Sequence, residues 1–308
     1  MVANGLYFDT ATMYYRSFFA VPESVTAPDG SPSGAVRGFL EMATAFIKAN
    51  PAKEIVFAWD TDWRPQWRVD LISSYKAHRV DELAVEDGYE EIPDNLSPQI
   101  SAIAQILDSI GLARVGQNDF EADDILGTLV KIIGKDAVVV TGDRDLFQLV
   151  SDKNKIRVIS MNKGMKNLET ITDTYLKDRY GITGNQYVDF AVLRGDSSDG
   201  LPGVKGIGEK TAADLIIKFK DLSKLVAAAK KDDPSIKPGA RANLLASQDY
   251  ITAAQKVVSV RTDANLPKNL VRPAKIKDQA ELSFLANDWG VVKQVNRLLD
   301  ALALDSIG

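Results

Sequence analysis

Five carboxylates, Glu121, Asp123, Asp124, Asp143 and Asp145, fall within 25 residues of the chain. Like charges this close repel one another and raise one another's pKa values unless a cation joins them. The chemistry they point to is a divalent-metal site. Cysteine is absent, which removes thiolate zinc sites, iron–sulfur clusters, disulfides and cysteine nucleophiles together. His78 is the single histidine, so imidazole-rich metal sites are excluded as well. What remains is hard, oxygen-ligated Mg²⁺ or Mn²⁺.

The pattern around these acids predicts the elements that position them. Glu121 opens a helix expected to run to about Ile133, and Gly134-Lys135-Asp136 leads into an apolar strand over 138–141. Asp143 and Asp145 follow directly. Residues 5–9 and 54–60 read as two more buried strands, each ending in an acid. In open α/β sheets ligands collect at the carboxyl ends of strands, where Asp9, Asp60 and Asp143 are expected to meet. Helices are predicted over 10–20, 35–48, 97–110, 172–180 and 185–194, and a strand over 156–160. Residues 22–34 and 81–95 read as loops. After Asp196, glycine-punctuated turns and short Lys- and Ala-rich helices continue to about Val260, which predicts a second, helical domain. Residues 267–273 read as a connector, and the tail helices near 280–287 and 291–302 are expected to pack back on the core.

Two further stretches carry chemistry. Over 63–80, Arg68, Tyr75 and Arg79 recur at i, i+7 and i+11, one stripe of a helix, with Lys76 beside them. Alone this would be a solvated amphipathic helix. Beside a carboxylate cluster it reads as a basic, aromatic-bearing face for phosphates and bases. Residues 195–200, GDSSDG, form a second acidic motif, though such runs are ordinary turns when isolated. The next residues, LPGVKGIGEKTA, are not a Walker A loop, because Glu209 stands where lysine is required. They fit a tight Gly-Ile-Gly turn opening a helix, whose N–H groups approach a phosphate with Lys205 and Lys210 adding charge. Such contacts hold a nucleic acid without reading its sequence.

Together these pieces resemble the 5′-nuclease (flap endonuclease) family, in particular the 5′-3′ exonuclease domain of bacterial DNA polymerase I. The resemblance rests on Asp9 and Asp60 after the first two strands, and on Tyr75-Lys76-Ala77-His78-Arg79. Glu121-Ala122-Asp123-Asp124, Thr141-Gly142-Asp143-Arg144-Asp145-Leu146 and the run 195–212 complete it, in family order over roughly residues 4–265. It implies an α/β, PIN-like (resolvase-like) nuclease core with a central, mostly parallel sheet over 1–178, including a helical gateway at about 61–98. An α-helical helix–three-turn–helix DNA-binding domain would span 179–266, and a C-terminal connector with helices 267–308. Two divalent ions are implied: Asp9, Asp60, Glu121, Asp123 and Asp124 would serve one, and Asp143, Asp145, Asp196 and Asp199 the other. Lys76 and Arg79 would contact the scissile phosphate, and with Asp9, Asp124 and Asp143 they form the expected catalytic set. Tyr75 would stack on a base, with Arg68 and Arg16 assisting. Lys205, Gly206, Gly208, Lys210 and Thr211 would grip the duplex, and carbonyls near Val204 and Ile207 would bind potassium. Departures from the family pattern are Gly200 in place of asparagine, Thr10 in place of glycine, and one extra residue between Asp60 and Arg68.

The implied activity is metal-dependent 5′-3′ exonuclease and flap endonuclease action on DNA with a 5′ flap, nick or 5′ end, in primer removal and repair. The implied partners are DNA and a DNA polymerase or ligase, with the chain acting as a monomer. Net charge is −5, yet without the nine acids of the implied site the remainder carries +4. No basic leader and no stretch of about 18 apolar residues is present, so the expected location is the cytoplasm, at the nucleoid, with no membrane. Two other readings compete. A haloacid-dehalogenase-like phosphatase would need a second acid at position 11, which is Ala11. A flap-DNA-binding protein that does not cut would have to retain nine acids whose crowding costs folding energy without a metal.

Overall fold

The strand predicted at 5–9 is β1 (Ala3–Asp9), in which Leu6, Tyr7 and Phe8 are fully buried. A strand covered on both faces reads as a continuous apolar run, the mark of a parallel sheet. The structure is a computed structural model that describes residues 2–80, 92–268, 270 and 275–307. The chain divides into two compact units, residues 1–61, 92–142 and 262–308, and residues 62–91 and 143–261.

In the first unit β1 lies between β2 (Ala52–Ala58) and β4 (Ala137–Thr141), and β3 (Ala113–Val115) flanks β2, all parallel. Phe8 and Phe57 stack across the β1–β2 pair with ring centroids 4.6 Å apart. The helix Gly34–Ala49, predicted over 35–48, buries an apolar stripe of Val36, Phe39, Leu40, Ala43, Phe46 and Ile47. Against that helix, Val292–Leu302 lays down Val295, Leu298, Leu299 and Leu302, each leucine worth about 2 kcal/mol of burial. The Gln279–Asp288 helix packs on Ser97–Ile110, whose Ser109 carbonyl accepts from the Lys277 and Asp278 N–H groups. The connector predicted at 267–273 lies outside the described residues at 269 and 271–273.

The second unit holds an antiparallel pair, β5 (Ile156–Ser160) with β6 (Glu169–Ile171). Its helices span Asp173–Tyr180, Tyr187–Arg194, Glu209–Phe219, Leu222–Lys230, Pro238–Ala246 and Gln248–Val258. Here one expectation is corrected. Residues 63–80 are not one helical stripe: the helix is only Gln66–Leu71, followed by turns and a single 3-10 turn, Ala77–Arg79. Long-range hydrogen bonds explain the break. Lys76, with a left-handed backbone (φ 48°), donates its N–H to the Asp199 carbonyl, and Ser74 Oγ donates to the Gly200 carbonyl. Backbone groups drawn to another loop cannot close i to i−4 bonds. The gateway expected at about 61–98, and the loop at 81–95, lie outside the described residues from 81 to 91. No helix among the described residues is long and apolar enough to cross a membrane.

Candidate active site

Asp9 is the last residue of β1 and caps the helix Thr10–Ala20. Its buried carboxylate accepts from Thr12 N–H and Oγ1 and from Thr141 Oγ1, the last at 2.7 Å. Beside it, the Thr10 hydroxyl is buried with no hydrogen-bond partner. Asp60, two residues past β2, accepts from Ala122 N–H at 2.7 Å. That N–H belongs to the first turn of the helix Ala122–Ile133, where Glu121 and Asp124 cap one another reciprocally. A helix N-terminus favours negative charge and supplies unpaired N–H donors, so three acids gather there. Glu121 and Asp124 are buried and Asp123 is partly exposed.

The acids of the second unit crowd differently. Asp143 accepts from Asp145 N–H at 2.7 Å. Asp145 is buried, and its Oδ1 has no hydrogen-bond partner. Burial first, and then the charges of Asp143, Asp199 and Asp196, push its carboxyl well above the usual carboxylate range, with Arg194 pulling the other way. Asp196 accepts from Ser198 N–H and from Arg194 Nη2 at 3.3 Å. Asp199 is paired with Arg79 Nη2 at 2.9 Å. Among the described residues no group of three acid or histidine side chains is arranged to hold a metal ion. Hydroxyl, amide and guanidinium donors engage these acids instead. The donor set still fits a hard cation: all ligands are oxygen, and the orphaned Asp145 Oδ1 is buried with three acids acting on it.

The basic side chains also depart from an exposed stripe. Arg68 is buried, donating Nε to the Val257 carbonyl, with its guanidinium 4.6 Å from the Trp67 ring. Tyr75 is 4% exposed and Lys76 9%, and Lys76 Nζ donates to the Trp63 carbonyl at 3.3 Å. Arg79 alone of the four is more than a third exposed in its side chain. Arg16, in the first unit, has Nε buried without a hydrogen-bond partner. The turn before Glu209–Phe219 closes over 204–207, one step ahead of the predicted Gly-Ile-Gly, with Gly206 at φ +75°. Lys205, Gly206, Gly208, Lys210 and Thr211 are exposed, and Gly208 caps the helix without a side-chain hydrogen bond. Val204 and Ile207 are buried, and the Val204 carbonyl accepts from Ile207 N–H.

Sequence reasoning missed Arg194. It lies over the Phe190 ring, its side chain 10% exposed, and places a cation among the acids of the second unit. A basic residue directly before Gly195-Asp196 was the available signal.

Acids at the carboxyl edge of a parallel sheet, and a lysine-bearing turn opening a helix, are the parts of an α/β nuclease. Comparison with known proteins narrows the class. Residues 5–181 match the 5′-3′ exonuclease N-terminal resolvase-like domain, and residues 182–281 the 5′-3′ exonuclease C-terminal SAM fold. A 5′-3′ exonuclease of Streptomyces coelicolor is 46% identical over 298 residues, 96% of this chain and 98% of that protein. DNA polymerase I of Caldicellulosiruptor bescii is 32% identical over 268 residues, covering 85% of this chain and 29% of the polymerase. The bacteriophage T5 flap endonuclease, solved as a complex with DNA and metal ions, shares the fold with a TM-score of 0.64. Its identity is 15%, over 97% of this chain and 99% of that one. The chain belongs to the 5′-3′ exonuclease family and is a nuclease. The phosphatase reading falls with that membership.

Proposed function

We propose that this nuclease hydrolyses phosphodiester bonds of DNA at 5′ flaps, nicks and 5′ ends, with one divalent ion held by the acids of each unit. The observation that carries the reading is Asp145, a buried carboxylate with an unpartnered oxygen and three acids raising its pKa. Asp9, Asp60, Glu121, Asp123 and Asp124 would hold the first ion, and Asp143, Asp145, Asp196 and Asp199 the second. When bound, Mg²⁺ or Mn²⁺ supplies a hydroxide nucleophile near neutral pH and neutralises charge on the attacking and leaving oxygens. Lys76 and Arg79 set fixed positive charge where the phosphate's charge develops. Lys205, Lys210, Thr211 and the Gly206 and Gly208 N–H groups hold the duplex backbone. The Val204 carbonyl, with a lone pair left after its turn hydrogen bond, and that of Ile207 suit a potassium ion. DNA and metal ions in the T5 relative support the same ligand classes here. Primer removal and repair in the cytoplasm, alongside a polymerase or ligase and as a monomer, complete the proposal.

The test is cleavage of 5′-end-labelled flap, nicked and single-stranded DNA with Mn²⁺, with Mg²⁺ and with chelator. Expected are short 5′ products from flap and nicked substrates, only with divalent ion. Cutting that persists in chelator would overturn the metal assignment, and intact DNA in every lane the substrate.

A further inference from the structure

We propose that a cleft in the second unit, walled by Arg144, Lys163, Arg179, Tyr175, Tyr180 and Phe147, binds a nucleotide through its phosphate. It uses none of the nine acids, and the choice of a nucleotide rests on the nuclease reading. Its volume is about 300 Å³, at the small end of ligand clefts, which run from roughly 300 to 1,000 Å³. That suits one nucleotide.

Three cations face one acid, Glu169. Glu169 Oε1 is already engaged by Lys163 Nζ at 2.9 Å and Tyr175 OH at 3.0 Å, so its charge is met within the wall. Neither Arg144 nor Arg179 lies within salt-bridge distance of a carboxylate among the described residues. Arg179 Nε donates to Tyr180 OH at 3.1 Å, and its guanidinium sits 5.4 Å from that ring's centroid. This contact holds the guanidinium in place and leaves its Nη donors for an anion, which a phosphate matches in fork geometry. Tyr175 and Tyr180, both half-buried, line the cleft and give it an aromatic side as well as a cationic one. An acidic peptide would satisfy the cations but not the rings. A nucleotide uses both, its base stacking on an aromatic face.

The ligand has two sources, a nucleotide within a bound strand or a free 5′-mononucleotide, and two measurements separate them. The full chain in chelator is titrated with deoxyadenosine 5′-monophosphate, with deoxyadenosine, and with an oligo-glutamate peptide. Binding of 5′-flap DNA is then followed over a salt series. Arg179→Ala and Lys163→Ala are the variants, each checked for an unchanged melting temperature so that the other serves if one fails to fold. The monophosphate is expected to bind about tenfold better than the nucleoside, and each variant to weaken it about tenfold, the loss of one charge-assisted hydrogen bond. For a strand nucleotide, the slope of log K against log salt falls by about 0.9 for each phosphate that the protein no longer neutralises. A lost monophosphate affinity with an unchanged slope assigns the free mononucleotide, and a changed slope assigns the strand. Unchanged affinity and slope in both variants overturn the site. Peptide binding equal to that of the monophosphate overturns the nucleotide assignment. The monophosphate titration reads the cleft even if the wild type leaves flap DNA uncut, so failure of the nuclease reading is seen separately.

Discussion

Arg79 Nη2 donates at 2.9 Å to Asp199 Oδ1 and at 2.7 Å to the Ser198 carbonyl. A cation expected at the scissile phosphate is thereby tied to an acid expected at a metal. Arg79→Ala should lower flap cleavage about 100-fold, the usual cost of one preorganised charge at a reacting phosphate. Stability should fall by no more than about 1 kcal/mol, because the side chain is 36% exposed. Single-turnover cleavage and denaturant melts measure the two effects, and unaltered cleavage would remove Arg79 from the catalytic set.

Asp145 sets a pH dependence. Its folded carboxyl, raised by burial and by Asp143, Asp199 and Asp196, keeps its proton to higher pH than the unfolded one. The folded state therefore binds more protons, and stability in chelator should fall as pH rises from the ordinary carboxylate range through the raised value. Asp145→Asn should remove that fall and raise the Tm at neutral pH in chelator by about 2 °C or more. In the wild type, Mg²⁺ or Mn²⁺ should raise the Tm by ligand linkage. A chelator-insensitive melt would contradict the ion assigned to these acids.

Lys76 Nζ sits 5.2 Å from the Tyr75 ring and donates to the Trp63 carbonyl. Lys76→Ala should slow cleavage about 100-fold while changing flap-DNA affinity less than about threefold, since its charge acts mainly on the transition state. Equal losses in kcat and in binding would make it a positioning contact.

Gly200 adopts φ +70°, and a Cβ there would lie 2.0 Å from the Ser74 carbonyl oxygen. Asparagine tolerates the left-handed backbone, but its Cβ meets the same backbone atom. Gly200→Asn should cost about 1–3 kcal/mol by overpacking and break the 2.7 Å bond from Ser74 Oγ to the Gly200 carbonyl. A Tm equal to that of the wild type would show that the 74–76 backbone moves aside freely.

Lys205 and Lys210 are exposed on the turn and first helical residues that face solvent. Each substitution to alanine should reduce the salt slope of duplex binding by about 0.9 and weaken binding alike for all sequences. Sequence-dependent losses would contradict a phosphate-only grip.

What could be read from the chain alone was whatever neighbours in sequence decide. The apolar run 138–141 and the cap Glu121 with its helix are local patterns, and they stand as β4 and Ala122–Ile133. The acids after strands were legible for the same reason, as was the helix opening at Glu209 behind a glycine-bearing turn. β3 and β6, three residues each, are too short to show a period and exist only through their partners. Tertiary contacts decided the rest. Residues 74–76 leave the helix as Ser74 Oγ and Lys76 N–H bond to the Gly200 and Asp199 carbonyls, more than a hundred residues away in sequence. Arg68 is buried because its Nε reaches the Val257 carbonyl, and Arg194 enters an acid cluster because residues 143–145 and 196–199 act on one another there. Periodicity records which face of an element is apolar. It does not record which distant backbone or charge will meet that face.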